Sequence, residues 1–332
     1  MKRRISLILF TALILVFCLL ASACGNTISV ASTEINEKGE LIVTYTDGRS
    51  ENLGKVVGDK GDKGDTGIAG ADGADGKDAA NENPQGLDFY PQSDGTYIVS
   101  AGLAKYLDEI IIPDTYNGGA VVGIAVSGFN GCTNLKKITL GKNLTAIGEA
   151  AFSNCTSLAS VTIPDGVTEI GEAAFYHCTS LVSVTITDSV TEIGDNAFSY
   201  CTSLTSVTIP DNVTKIGEYA FSGCASLASV TIPDSVTEIG DSAFSGCASL
   251  ASVTISDNVT KIGGYAFCGC TSLTSVTIGK GVSSIGEYAF CRCESLNSIN
   301  YRGRKSEWVA ITKGYDWNYN AGRYTITYEY TE

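Results

Sequence analysis

The sequence predicts a β-rich solenoid: repeats of 23 residues wound into coils, with a parallel sheet along the body and a cap at each end. Three observations carry this. Phenylalanine recurs at Phe129, Phe152, Phe175, Phe198, Phe221, Phe244, Phe267 and Phe290. Cysteine follows three residues later, at Cys132, Cys155, Cys178, Cys201, Cys224, Cys247, Cys270 and Cys293. Leucine comes three residues after that, from Leu135 through Leu158 and Leu181 to Leu296. Columns held in such register mean that each unit buries its apolar residues only against its neighbours.

The chain begins with an address. Lys2, Arg3 and Arg4 precede an apolar run from Ile5 to Leu20, then Ala21, Ser22, Ala23 and Cys24. This is the layout of a secretory signal peptide over residues 1–23. The small residues before a cysteine resemble a bacterial lipobox, although Ala21 stands where leucine is most usual. The resemblance implies that Cys24 is lipidated and anchors the chain to the outer face of a membrane. An uncleaved membrane-spanning anchor is the alternative, since the run is nearly long enough to cross a bilayer.

Residues 24–57 read as a small β unit. Thr27–Val30 and Leu41–Tyr45 alternate apolar and polar residues, with turns at Glu37–Gly39 and Thr46–Arg49. About thirty residues bury too little surface to fold alone. Glycine then recurs every third residue from Gly58 to Gly76. A period of three is what a collagen triple helix requires, because only glycine fits at its axis. Residues 58–78 therefore resemble a collagen-like stalk, which implies a homotrimer, although no triplet contains proline; a flexible linker is the alternative. Residues 79–86 form a polar hinge.

The body divides into an N-terminal cap (87–128), the repeats (129–299) and a C-terminal cap (300–332). Within a repeat, Leu158, Val161 and Ile163 follow the LxxLxL pattern of a leucine-rich-repeat strand; Val167 and Ile170 fill the opposite wall and Phe175 closes the core. The glycine column at Gly148, Gly171, Gly194, Gly217, Gly240 and Gly286 predicts a tight turn with a left-handed backbone. These motifs resemble the BspA-like leucine-rich-repeat family over about residues 87–330. Asp94-Gly95-Thr96-Tyr97 with Ile112-Pro113-Asp114, and the tail from Tyr301 to Tyr330, look like that family's caps. The resemblance implies adhesion at a cell surface.

Eight of the 12 cysteines share one repeat column and are expected as reduced, buried residues. Cys268 and Cys291 interrupt a column held elsewhere by Ser153, Tyr176, Ser199, Ser222 and Ser245. They stand 23 residues apart, so they are neighbours in adjacent coils. A disulfide between them, two free thiols in place of serine, and zinc held together with Cys270 and Cys293 are the alternatives. The core-facing position expected for Cys270 and Cys293 argues against the metal.

Candidate binding residues lie on two faces. Alternation points Ser206, Thr208, Ser229, Thr231, Ser252 and Thr254 to solvent, making a flat hydroxylated sheet face. That face is either β-propensity with solubility or a docking surface for a protein or glycan. Tyr219, Tyr265 and Tyr288 share a column and suit a binding anchor, or partial burial beside the phenylalanines. Asp165, Asp188, Asp211, Asp234 and Asp257, with Glu172, Asp195, Glu218 and Asp241, form acidic columns. Turn capping explains them; Ca²⁺ bridging is the alternative, and no cofactor is expected. Glu192, Lys215, Glu238 and Lys261 alternate in sign, as cross-coil ion pairs would.

The function classes narrow accordingly. A formal net charge of -14 argues against nucleic acid as the ligand and suits a basic partner. The chain has one histidine, His177, in a column that elsewhere holds Asn154, Tyr200 or glycine. No catalytic residue or metal site is expected. The two surviving readings are a lipid-anchored adhesin that binds a protein or glycan, and a structural envelope component that binds its own cell's polymers or copies of itself.

Overall fold

The computed structural model describes residues 30–35, 40–46, 48–55, 83 and 85–331. The chain divides into two compact units, Met1–Gly76 and Lys77–Glu332. The signal peptide, Cys24 and the stalk lie outside the described residues, as does most of the hinge. Among the described residues no helix is long and apolar enough to cross a membrane.

The first unit is an antiparallel three-stranded sheet of Val30–Ile35, Glu40–Tyr45 and Ser50–Lys55, in that order. The expected turn after Tyr45 is present: the Gly48 amide donates to the Tyr45 carbonyl at 3.0 Å, and Gly48 has φ +83. The expected strand Thr27–Val30 meets the described residues only at Val30, where the first strand begins, and the expected turn at Glu37–Gly39 lies outside them. The third strand was not expected, because Ser-Glu-Asn-Leu-Gly-Lys carries no apolar period; it joins through backbone pairing with Glu40–Tyr45.

The second unit is a parallel β-solenoid. Each coil places a three- or four-residue strand on one wall, such as Ser160–Thr162, Ser183–Thr185 or Ser229–Thr231. A two-residue strand follows on a second wall, such as Glu169–Ile170 or Lys215–Ile216. The strands stack into sheets of 10 and 12 strands. The register is one repeat: Ser160 pairs with Ser183, Ser206 with Ser229, and Ile170 with Ile193. A slip by one residue would turn every inward Val and Ile to solvent, so the column pattern fixes the pairing.

The third wall is rich in turns, yet it is hydrogen-bonded from coil to coil. Ala150, Phe152 and Asn154 donate to the carbonyls of Glu172, Ala174 and Tyr176 at 2.7–2.8 Å, and later coils repeat the pattern. Inside, the eight phenylalanines stack with ring centroids 5.2–5.4 Å apart. From Cys155 to Cys293 each column thiol donates to a phenylalanine carbonyl 26 residues earlier, at 3.1–3.3 Å. A thiol is a weak donor, but this bond gives the column a polar role besides its apolar packing.

One sequence expectation fails here. The glycine column does not adopt the left-handed conformation. Positive φ falls two residues later, at Ala150, Ala173, Asn196, Tyr219, Ser242, Tyr265 and Tyr288, and again at Asn154, His177, Tyr200, Gly223, Gly246, Gly269 and Arg292. The column glycines are required for closeness instead. A Cβ on Gly240 would lie 2.7 Å from the Gly217 carbonyl carbon and 2.8 Å from the Glu218 nitrogen. Coils pack backbone to backbone at this corner, and no side chain fits between them.

Both ends of the unit depart from the period. At the N-terminal end, Asp88–Pro91 and Tyr97–Ser100 form a hairpin, closed by the Asp94 carboxylate accepting from the Thr96 amide at 3.0 Å and its hydroxyl at 2.7 Å. Bonding from Thr96 holds the Asp94 carboxyl below its usual range. At the C-terminal end a short helix, Lys305–Ala310, enters the last coil. Pairing still follows, but with longer offsets: Ser284 pairs with Thr312 (312 − 284 = 28) and Ser298 with Thr325 (325 − 298 = 27). Trp308 from the helix is buried beside Tyr301, and Trp317 meets the last ring, Phe290, edge-on at 6.1 Å.

Candidate functional site

The hydroxylated face is built by strand alternation. Val207, Val230 and Val253 point inward and are buried, so their flanking residues point outward. Ser206, Thr208, Ser229, Thr231 and Ser252 are exposed, and Thr254 is half-buried. Equivalent hydroxyls pair in register across the strands, as Thr208 with Thr231 and Thr231 with Thr254. The face closes toward the C-terminal end: Thr277 is buried, and the Asn300 carboxamide donates to Ser275 Oγ at 3.4 Å.

Three members of the acidic columns, Asp195, Asp241 and Asp257, cap backbone amides. Asp195 Oδ1 accepts from the Glu218 amide at 2.7 Å, and Asp241 Oδ1 from the Gly264 amide at 2.8 Å. Asp257 Oδ1 accepts from the Lys280 amide at 3.1 Å, as Asp114 does from Lys142 at 2.8 Å. Lys215 reaches Glu192 at 3.4 Å and Lys261 reaches Glu238 at 2.5 Å. These pairs are half-exposed and worth little individually. Among the described residues no group of three His, Cys, Asp or Glu side chains is placed to hold a metal ion.

The cysteines separate into two kinds. The column thiols are buried and free. Burial pushes Cys224 and Cys293 up to about 12 and raises Cys201, Cys247 and Cys270 well above the usual value, so all five remain protonated. Cys268 and Cys291 are disulfide-bonded, with Cα atoms 4.5 Å apart. They belong to the neighbouring column, two residues before each core cysteine. His177 takes a left-handed backbone and places Nδ1 3.2 Å from Asn154 Oδ1, within its own repeat column.

The tyrosine column divides. Tyr219, Tyr265 and Tyr288 all occupy left-handed positions. Tyr219 is 44% and Tyr265 40% exposed, whereas Tyr288 is half-buried. Tyr265 and Tyr288 stack at 5.0 Å. Tyr219 is two coils from Tyr265, with Ser242 between, and joins neither ring. Two tyrosines missed by the repeat pattern enter instead: Tyr315 lies 5.7 Å and Tyr319 6.3 Å from Tyr288, both edge-on. The signal available was a tail dense in aromatics, Tyr315-Asp316-Trp317-Asn318-Tyr319. The longer last coil removes these residues from the 23-residue columns.

A coiled body of LxxLxL strands with an exposed hydroxylated sheet face defines a leucine-rich-repeat solenoid, a class of scaffold that generally binds protein ligands. Six copies of the BspA-type leucine-rich-repeat region match residues 104–225 and 191–308. The chain therefore belongs to the BspA-type leucine-rich-repeat family. A leucine-rich-repeat protein from Bacteroides ovatus is 29% identical, over 73% of this chain and 69% of that one, with a TM-score of 0.62. The T. pallidum leucine-rich-repeat protein is 34% identical, over 57% of this chain and 89% of its own, with a TM-score of 0.52. No curated protein matches the chain.

Proposed function

We propose that the protein is a cell-surface lipoprotein, anchored through Cys24, that presents its solenoid for binding a protein or glycan, with adhesion as its role. One observation carries this reading: the parallel sheet holds an exposed array of Ser and Thr hydroxyls in register, from Ser160 to Ser252. Membership of a family of protein-binding scaffolds supports it. The Lys-Arg-Arg start, the apolar run and the small residues before Cys24 support the anchor. The glycine period from Gly58 to Gly76 supports a spacer that lifts the solenoid from the membrane, as a homotrimer if the segment forms a triple helix.

The test is capture. Immobilised protein is incubated with extracellular matrix proteins and glycans, and separately with cell-wall material of the producing cell. Saturable binding of an extracellular protein or glycan, weakened by placing Glu at Thr208 and Thr231, supports adhesion through the sheet face. Binding confined to the cell-wall fraction replaces adhesion by an envelope role. Loss of radiolabelled fatty acid on Cys24→Ala tests the anchor.

A further inference from the structure

We propose that Tyr265, Tyr288, Tyr315 and Tyr319, with Glu287 and Asp316, form a docking point for lysine or arginine side chains of a basic protein partner. The proposal rests on the protein-binding reading above and assigns it a place and a chemistry outside the hydroxylated face.

The geometry comes first. Tyr265 and Tyr288 stack at 5.0 Å, whereas Tyr315 and Tyr319 stand at 73° and 76° to the Tyr288 ring. Rings set at right angles turn π-faces in more than one direction, as a site for a cation requires. Three of the four rings are exposed, Tyr315 by 70%, Tyr319 by 48% and Tyr265 by 40%, and Tyr288 is half-buried. Core packing does not account for them, because the end of the solenoid is closed by other residues, Trp308, Trp317 and Tyr301.

Charge then selects the occupant. Glu287 adjoins Tyr288, and Asp316 lies between Tyr315 and Trp317. Desolvation raises the Tyr288 hydroxyl above its ordinary value, and the carboxylates of Asp316 and Glu287 act in the same direction. The two carboxylates, negative at neutral pH, favour a cation beside these rings. Among the described residues, lysine and arginine groups of this chain lie over Tyr45, Tyr106 and Trp308, and over none of these four rings. Arg292 approaches through its backbone, donating to the Tyr319 carbonyl at 2.7 Å. Glu172, Asp195, Glu218 and Asp241 approach the cluster one coil at a time, and a chain of net charge -14 steers basic partners toward it.

The experiment measures binding of the full chain to a peptide of alternating lysine and serine, and to its glutamate counterpart. It is run at about 0.15 M salt, where long-range attraction is screened beyond ~8 Å. Three variants are compared: Tyr315→Ser with Tyr319→Ser; Tyr315→Phe, which keeps the ring; and Asp165→Asn with Asp188→Asn, which removes two charges from another column. The expected result is lysine-peptide binding weakened about tenfold by the double Tyr→Ser variant, the size of two lost cation–π contacts. Tyr315→Phe and the Asp→Asn variant then bind as the parent does, and the glutamate peptide binds to none. Equal binding by the double Tyr→Ser variant, or an equal loss in the Asp→Asn variant, overturns the proposal. So does failure of the lysine peptide to bind. In each of those cases, retained capture of an extracellular protein leaves the broader protein-binding reading standing, whereas loss of both ends it.

Discussion

Two glycines in one coil separate closeness from conformation. Gly240 has an ordinary backbone but no room: an added Cβ would sit 2.7–2.8 Å from the backbone of Gly217 and Glu218. Gly246 has φ +72 but ample room, with nothing nearer than the Gly223 Cα at 3.6 Å. For Gly240→Ala the neighbouring atoms are backbone, so relief requires the coils to part at the corner. Overpacking of this kind costs ~3 kcal/mol. That corresponds to a melting midpoint lowered by ~6–12 °C for a unit of this size. For Gly246→Ala only the left-handed conformation must be paid, ~1–2 kcal/mol. Gly246→Asn should cost less again, because Asn154 occupies the equivalent position at φ +59. The assay is urea unfolding of the three variants by circular dichroism, comparing midpoints. A Gly246→Ala variant less stable than Gly240→Ala would refute the argument that the column glycines are kept for backbone approach.

The remaining predictions concern the cysteines and one serine. In native protein the eight column thiols should resist alkylation, and all eight should react once unfolded, by mass spectrometry. Since Cys224 and Cys293 are raised from 9.0 to about 12 by burial, the unfolded chain loses these protons first. Stability is therefore full below about pH 9 and falls as pH rises toward 12, by ~1.4 kcal/mol per pH unit for each thiol. Cys224→Ala should remove one thiol's share of that slope in alkaline unfolding curves. Reduction of Cys268–Cys291 should lower stability by ~3 kcal/mol through the freed loop; no change in urea midpoint with reductant would contradict this. Ser256 Oγ is buried without a hydrogen-bond partner, in a column where Pro164, Pro210 and Pro233 stand. Ser256→Pro should raise stability by ~0.5–1 kcal/mol in the same assay.

The repeats were legible for a simple reason: a residue's chief neighbours are its own equivalents one period away. Phe198 stacks on Phe175 and Phe221, and Ser206 pairs with Ser183 and Ser229. A column in the sequence is therefore already a list of contacts, and strand alternation adds which side of the wall each residue faces. The same logic failed where a role depends on backbone geometry within one coil. Nothing in the identity of Gly240 tells whether it is kept for a left-handed turn or for close approach. The left-handed positions themselves hold Ala, Asn, Tyr, Ser, His and Arg as well as Gly, so composition hides them.

The sequence by itself determined the coil, its period, its core columns and the outward set of the sheet, because all of these are local patterns repeated at fixed spacing. Tertiary structure decided where the period breaks. The helix Lys305–Ala310 lengthens the last coil to 27–28 residues, and only that insertion brings Tyr315 and Tyr319 against Tyr288 while leaving Tyr219 apart. It also decided that the thiols bond the phenylalanine carbonyls of the preceding coil, a contact between different columns whose offset of 26 residues depends on how the chain turns each corner.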